Sequence, residues 1–215
     1  IDRLRQAHRP LVLGGTGVRI SGTHQRLLAL LERHGIPLAT AWTHDLIASD
    51  HPLFAGRPGT IGTRAGNFCL QAADWVLVLG SRLNIRQTSY NWQSFAKNAW
   101  LAQVDIDPAE LHKPTVQPDL GVAADLGAFL EVLEEELAGA QLPSYQPWVQ
   151  WCQDIGQRYH AAAEHRQQPG VVLNPYVMVS RIFAQLRPDD IVVCGNASAC
   201  ILPFRPDGRL GDGLL

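Results

Sequence analysis

Asp74-Trp-Val-Leu-Val-Leu-Gly80 decides the fold. Apolar residues run unbroken from Trp75 to Leu79, with no polar position alternating among them. A strand with one wet face alternates. An unbroken run of this length, bounded by a turn residue, fits a strand covered on both faces in a parallel sheet.

The segments on either side extend the pattern. Pro10-Leu-Val-Leu-Gly14 predicts a second buried strand ending in Gly14-Gly15-Thr16-Gly17. Thr23 to His34 carries Leu27, Leu28, Leu30 and Leu31 at helical spacing, and Gly35 is a stop signal. Ile36 to Ala41 predicts a strand, residues 49 to 61 a loop, and Thr63 to Ala73 a helix. Trp100 to Ile106 and Leu120 to Ala123 predict two more strands. Pro108 at a first helical position and Asp125 as a capping residue start the helices that follow them. This alternation implies a doubly wound α/β domain over residues 1 to 140, with about six parallel strands and helices on both faces.

Residues 141 to 170 are expected to hold a linker and an aromatic helix, Trp148 to His165, bearing Trp148, Trp151, Ile155 and Tyr159 on one face. Residues 171 to 215 begin a new unit, with a helix capped by Asn174 and running to Leu186, and a strand over Asp190 to Gly195. The start at Ile1 and the glycine-rich close at Gly211-Asp-Gly213 predict a fragment of a longer protein.

Composition narrows the function. A formal net charge of -2 without a basic run argues against nucleic acid or a membrane surface as partner. No apolar stretch approaches the roughly 20 residues of a spanning helix. Four scattered cysteines without a Cys-x-x-Cys imply reduced thiols and a cytoplasmic protein. The eight histidines show no convincing metal spacing; His44 and His51 bracket a loop.

Ligands of open α/β sheets bind beyond the carboxyl ends of the strands. Those ends carry Gly15, Arg82, Asp105, Ile106 and Asp125. Glycine admits close backbone approach, arginine pairs with phosphate, and a carboxylate accepts a ribose hydroxyl. The set suits a dinucleotide. It is a poor nicotinamide site, because Ile20 stands where the third glycine belongs and Thr40-Ala-Trp-Thr43 offers no acid for the ribose.

Gly56-Arg-Pro-Gly-Thr60, Asp74 through Arg82, and Val104-Asp-Ile-Asp-Pro-Ala-Glu110 with Lys113 resemble the central domain of thiamine-diphosphate enzymes of the acetolactate-synthase type. The likeness spans residues 9 to about 137 in order and spacing. It implies a parent enzyme, a lyase or transferase, that uses thiamine diphosphate and magnesium on a 2-oxo acid as a homodimer or homotetramer. It also implies that FAD or ADP can occupy the central domain at Gly15, Arg82, Asp105, Ile106 and Asp125. Gly195, Asn196, Ala197 and Ser198 match the loop that meets the cofactor diphosphate, although the glutamine and histidine found in acetolactate synthase are absent. The acidic pair that follows the arginine in the family is replaced by Asn84 and Ile85. The activating glutamate and the magnesium motif are expected in other domains, so no catalytic or metal residue is assigned and the fragment is expected to be inactive. The central fold also resembles the NAD-binding domain of sirtuins and the FAD-binding domain of electron-transfer flavoproteins, so the rival expectations are a free-standing FAD- or ADP-binding module and a non-catalytic spacer.

Overall fold

The computed structural model describes residues 1–43, 46–160, 173–187 and 190–204. A five-stranded, wholly parallel sheet forms the centre, made of β1 (Pro10–Gly14), β2 (Leu38–Thr40), β3 (Trp75–Leu79), β4 (Trp100–Asp105) and β5 (Leu120–Ala123). The strand order is β2-β1-β3-β4-β5. Every neighbouring pair is parallel, with β3 in register against β1 and β4 along its whole length.

The unbroken apolar run of β3 is buried on both sides, as its pattern requires. Trp75, Leu77 and Leu79 join a core containing Leu27, Leu30 and Leu31 of α3 (His24–His34) and Leu126, Leu130 and Leu137 of α7 (Leu126–Ala138). Val76 and Val78 join the opposite core, with Cys69 and Leu70 of α4 (Arg64–Ala72) and Trp148 and Cys152 of α8 (Gln146–Arg158). Each fully buried aliphatic side chain contributes roughly 1.5–3 kcal/mol, so these two layers carry the fold. On the outer surface Arg26 and Glu134 tie α3 to α7 through two hydrogen bonds of 2.9 and 2.7 Å.

Local signals set the helix ends. Gly35 takes the left-handed conformation after α3 (φ 64). The Thr63 hydroxyl accepts from Gly66 N at the start of α4, and the Asp125 carboxylate accepts from Gly127 N and Ala128 N at the start of α7. Short helices that the sequence pattern did not announce follow β1 and β3: α2 (Thr16–Ile20) and α5 (Ile85–Thr88). Among the described residues the other α-helices are α1 (Asp2–Gln6), α6 (Pro108–Leu111), α9 (Pro175–Phe183) and α10 (Ser198–Phe204).

Three expectations change. Among the described residues the central sheet has five strands where about six were expected, and Asp190–Gly195, expected as a strand of the unit that follows, is not one. That stretch holds one isolated bridge position, at Val192, and leaves Ile191 and Val193 62% and 81% exposed. An apolar pattern becomes a strand only where a neighbour supplies ladder partners. The aromatic helix ends at Arg158; residues 161–165 of the expected span lie outside the described residues, as do His44 and Gly211-Asp-Gly213. Its aromatics serve the chain's own core. Trp148 is buried and its indole N–H donates to the Pro10 carbonyl at 2.8 Å, while Trp151 stacks on it at 5.0 Å.

Just before α8, the Tyr145 hydroxyl donates to the Leu4 carbonyl at 2.7 Å. Burial, with a smaller contribution from the Asp74 charge, pushes its pKa up to about 12. The neutral phenol is favoured in the fold, so this contribution is complete below about pH 10 and is lost as pH rises toward 12. Tyr145→Phe should cost about 1 kcal/mol in urea denaturation at pH 7 and should remove part of the alkaline loss between pH 10 and 12.

Candidate functional site

Because all five strands run the same way, their carboxyl ends share one rim. From β1 the chain goes to β2 on one side and then crosses to β3 on the other. The rim between β1 and β3 is therefore the topological switch point, where such sheets bind ligands. Two turns meet there. Gly15 N–H donates to the Leu79 carbonyl at 2.9 Å and Gly17 N–H to the Gly80 carbonyl at 3.0 Å. A Cβ on Gly17 would lie 2.7 Å from Gly80 Cα, and one on Gly15 would overlap Gly80 and Ser81. Gly80 itself has φ 57. The protein's own backbone thus demands glycine at these positions, whatever ligand occupies the rim.

Above these turns opens a cleft of about 450 Å³, within the usual range for small-molecule sites. Its lining includes all five positions expected from the sequence: Gly15, Arg82, Asp105, Ile106 and Asp125. Asp105 Oδ1 accepts from Asp107 N at 3.0 Å, and Asp125 Oδ1 accepts from Gly127 N at 2.7 Å. The Oδ2 atoms of both have no hydrogen bond among the described residues. Two hydroxyl acceptors therefore remain on the β4–β5 side. Ile20 and Ile106, 81% and 73% exposed, form an apolar lip.

Gly195, Asn196, Ala197 and Ser198 do not join this group. All four are exposed, between Val192 and Leu202 of a small separate cluster around Val179 and Phe183. Asn196 Oδ1 accepts from Ala197 N at 2.7 Å, and Ala197 has φ 58.

The sequence reading missed the wall on the β2 side. Residues 58–62 and α5 close the cleft there through Gly59, Ile61, Arg86 and Gln87. Asn67 holds Gly59 from both directions, accepting from its N–H at 2.9 Å and donating to its carbonyl at 3.1 Å. The Thr60 N–H and hydroxyl both donate to the Arg86 carbonyl, at 2.8 and 3.1 Å. Glycine density in Gly56–Gly62 was the available signal; it marked a loop without saying what the loop faces.

Arg82 reaches the cleft already paired. Its Nε donates to Glu110 Oε1 at 2.6 Å, and Lys113 donates to the other Glu110 oxygen at 3.0 Å and to the Arg82 carbonyl. Burial pushes the Glu110 carboxyl up, but the hydrogen bonds and charges of Lys113 and Arg82 outweigh it and hold the group below its ordinary range. Among the described residues no group of three His, Cys, Asp or Glu side chains converges as a metal site.

Comparison with known proteins gives a consistent picture. Residues 1–133 match the family described as thiamine pyrophosphate enzyme, central domain. A probable acetolactate synthase large subunit of Methanococcus aeolicus is 36% identical over 138 residues, covering 64% of this chain and 23% of that protein. The acetolactate synthase large subunit of Corynebacterium glutamicum is 29% identical over 91% of this chain and 31% of its own length. Sulfoacetaldehyde acetyltransferase of Rhodobacter capsulatus is 39% identical over 58% of this chain and 22% of its own length. The chain thus matches between about a fifth and a third of the length of these relatives.

The Glu110 carboxylate, held below its ordinary range, contributes stability above about pH 4.3 that is lost as pH falls through its folded value. Glu110→Gln should therefore lower the urea midpoint at pH 6 and narrow the gap to wild type at pH 3. An equal gap at both values would mean that the ion triad adds nothing.

Proposed function

The chain belongs to the thiamine pyrophosphate enzyme family through its central domain, and on that premise we propose that it is the middle portion of a thiamine-diphosphate-dependent enzyme acting on 2-oxo acids. The acetolactate synthases among its relatives support carboligation or decarboxylation as the reaction. Residues 1–140 form the central domain in this reading, 141–170 a linker and helix, and 171–215 the start of the diphosphate-binding domain. The complete enzyme is a cytoplasmic homodimer or homotetramer that uses magnesium. Among the described residues no helix is long and apolar enough to cross a membrane.

When bound, thiamine diphosphate supplies an electron sink for the carbanion formed next to a carbonyl. Gly195 to Ser198 form the side of this chain that meets its diphosphate.

The central cleft binds a nucleotide of the FAD or ADP kind. One observation carries this reading: Asp105 and Asp125 present free acceptor oxygens, and an apolar lip flanks them, at the switch point of a parallel sheet. The carboxylates take ribose hydroxyls, and Ile20 and Ile106 cover a ring. Every one of these groups lies within residues 1–125, which favours a second reading, a free-standing nucleotide-binding module, should a longer protein lack activity. A spacer role would account for the Oδ1 atom of each carboxylate, which bonds to backbone, but not for the open Oδ2 atoms.

Assay of CO₂ release from pyruvate separates these readings. The 215-residue chain should be inactive, and a longer protein containing it should show turnover that disappears on removal of thiamine diphosphate. Turnover by the chain alone would overturn the assignment. In differential scanning fluorimetry, ADP or FAD should raise the melting temperature of the chain, and Asp125→Ala should reduce that rise.

A further inference from the structure

We propose that Arg86, rather than Arg82, is the cation that takes the phosphate of a nucleoside diphosphate in this cleft; the inference rests on the nucleotide reading above. Arg82 and Arg86 are the cations among the residues lining the cleft, and they differ in one respect. The Arg82 guanidinium is already engaged, with Nε 2.6 Å from Glu110 Oε1. The Glu110 side chain is only 12% exposed. Drawing Arg82 toward a phosphate would strip a largely buried carboxylate of one of its two cationic partners, and that cost opposes binding.

Arg86 carries no such burden. Its side chain makes no hydrogen bond or ion pair among the described residues and is exposed. Its backbone is nevertheless fixed. Arg86 N–H donates to Asn84 Oδ1 at 2.9 Å, and its carbonyl accepts the two bonds from Thr60. A fixed Cα with an uncommitted guanidinium is suited to close on an anion and is well placed for bidentate pairing.

Of the helices around the rim α2 has no side-chain cap, although its Gly17 N–H is spent on the Gly80 carbonyl. The first amides of α5, α6 and α7 are taken by Asn84, Asp107 and Asp125 of the chain itself. The two acids, Asp105 and Asp125, follow β4 and β5. Arg86 sits on the far wall with residues 58–62, whose neighbour Gly56 bonds to β2 through Thr40 N–H. Phosphate is repelled from the acidic end and drawn to the arginine end. The cleft is therefore polar along its length, with ribose hydroxyls at the β4–β5 side and phosphate at Arg86.

Isothermal titration of the 215-residue chain with ADP and with adenosine tests this. Wild type should bind ADP more tightly than adenosine. Arg86→Ala should weaken ADP about tenfold to a hundredfold and leave adenosine within about twofold. Its urea midpoint should match wild type, since the side chain has no partner to lose. Arg82→Ala should weaken ADP by less than about threefold. An undiminished ADP affinity in Arg86→Ala, or a larger loss in Arg82→Ala, overturns the inference. Equal wild-type affinity for ADP and adenosine also overturns it while sparing the nucleotide reading. A wild type that binds neither probe ends both.

Discussion

The contact of two glycine turns, Gly15–Gly17 against Gly80–Ser81, holds the site together. It joins β1 to β3 at the place where the chain reverses its direction of winding. Main chain lies against main chain, with Gly17 N–H on the Gly80 carbonyl and no room for a Cβ on either side. The ladder already pairs the strand ends, Gly14 with Leu79, and this contact carries the close approach beyond them into a common floor. A side chain at Gly80 would have to adopt φ 57 and displace Gly17 at once. The cleft is therefore a consequence of backbone packing first and of ligand chemistry second.

Charge is then distributed over that floor unevenly. Three helices around the rim are capped from within: Asn84, Asp107 and Asp125 satisfy amides that in other nucleotide folds face a phosphate. Asp125 stabilises α7 with one oxygen and keeps the other for the cleft. Glu110 and Lys113 similarly hold Arg82 in place, which stiffens the exit of β3 but spends its charge. A site that neutralises its own most prominent cation must draw anion affinity from elsewhere, and Arg86 on the opposite wall is the group left uncommitted.

Much of this was legible in the residues. The apolar run at Trp75–Leu79 announced a doubly covered strand, and Gly35, Thr63 and Asp125 announced helix ends, because each of these is a local effect. The parallel order followed from the alternation of elements, and with it the convergence of Gly15, Arg82, Asp105, Ile106 and Asp125. The wall at residues 58–62 was not legible, since its position depends on Asn67 and Arg86, eight and 26 residues away from the groups they bind. Nor was the Arg82–Glu110 pair, 28 residues apart, although both residues stood in recognised motifs. The apparent strand at Asp190–Gly195 misled for the converse reason. Its pattern is local, whereas a strand is made by its neighbours.

Chemical-shift mapping tests the whole account in one measurement. Amide spectra of isotopically labelled chain, recorded during titration with ADP, should show shifts concentrated at Gly15–Gly17, Gly80–Arg82, Ile106 and Asp125, turns far apart in sequence and adjacent only across the rim. Shifts confined to one of these turns, scattered over both ends of the sheet, or absent at saturating nucleotide would contradict it.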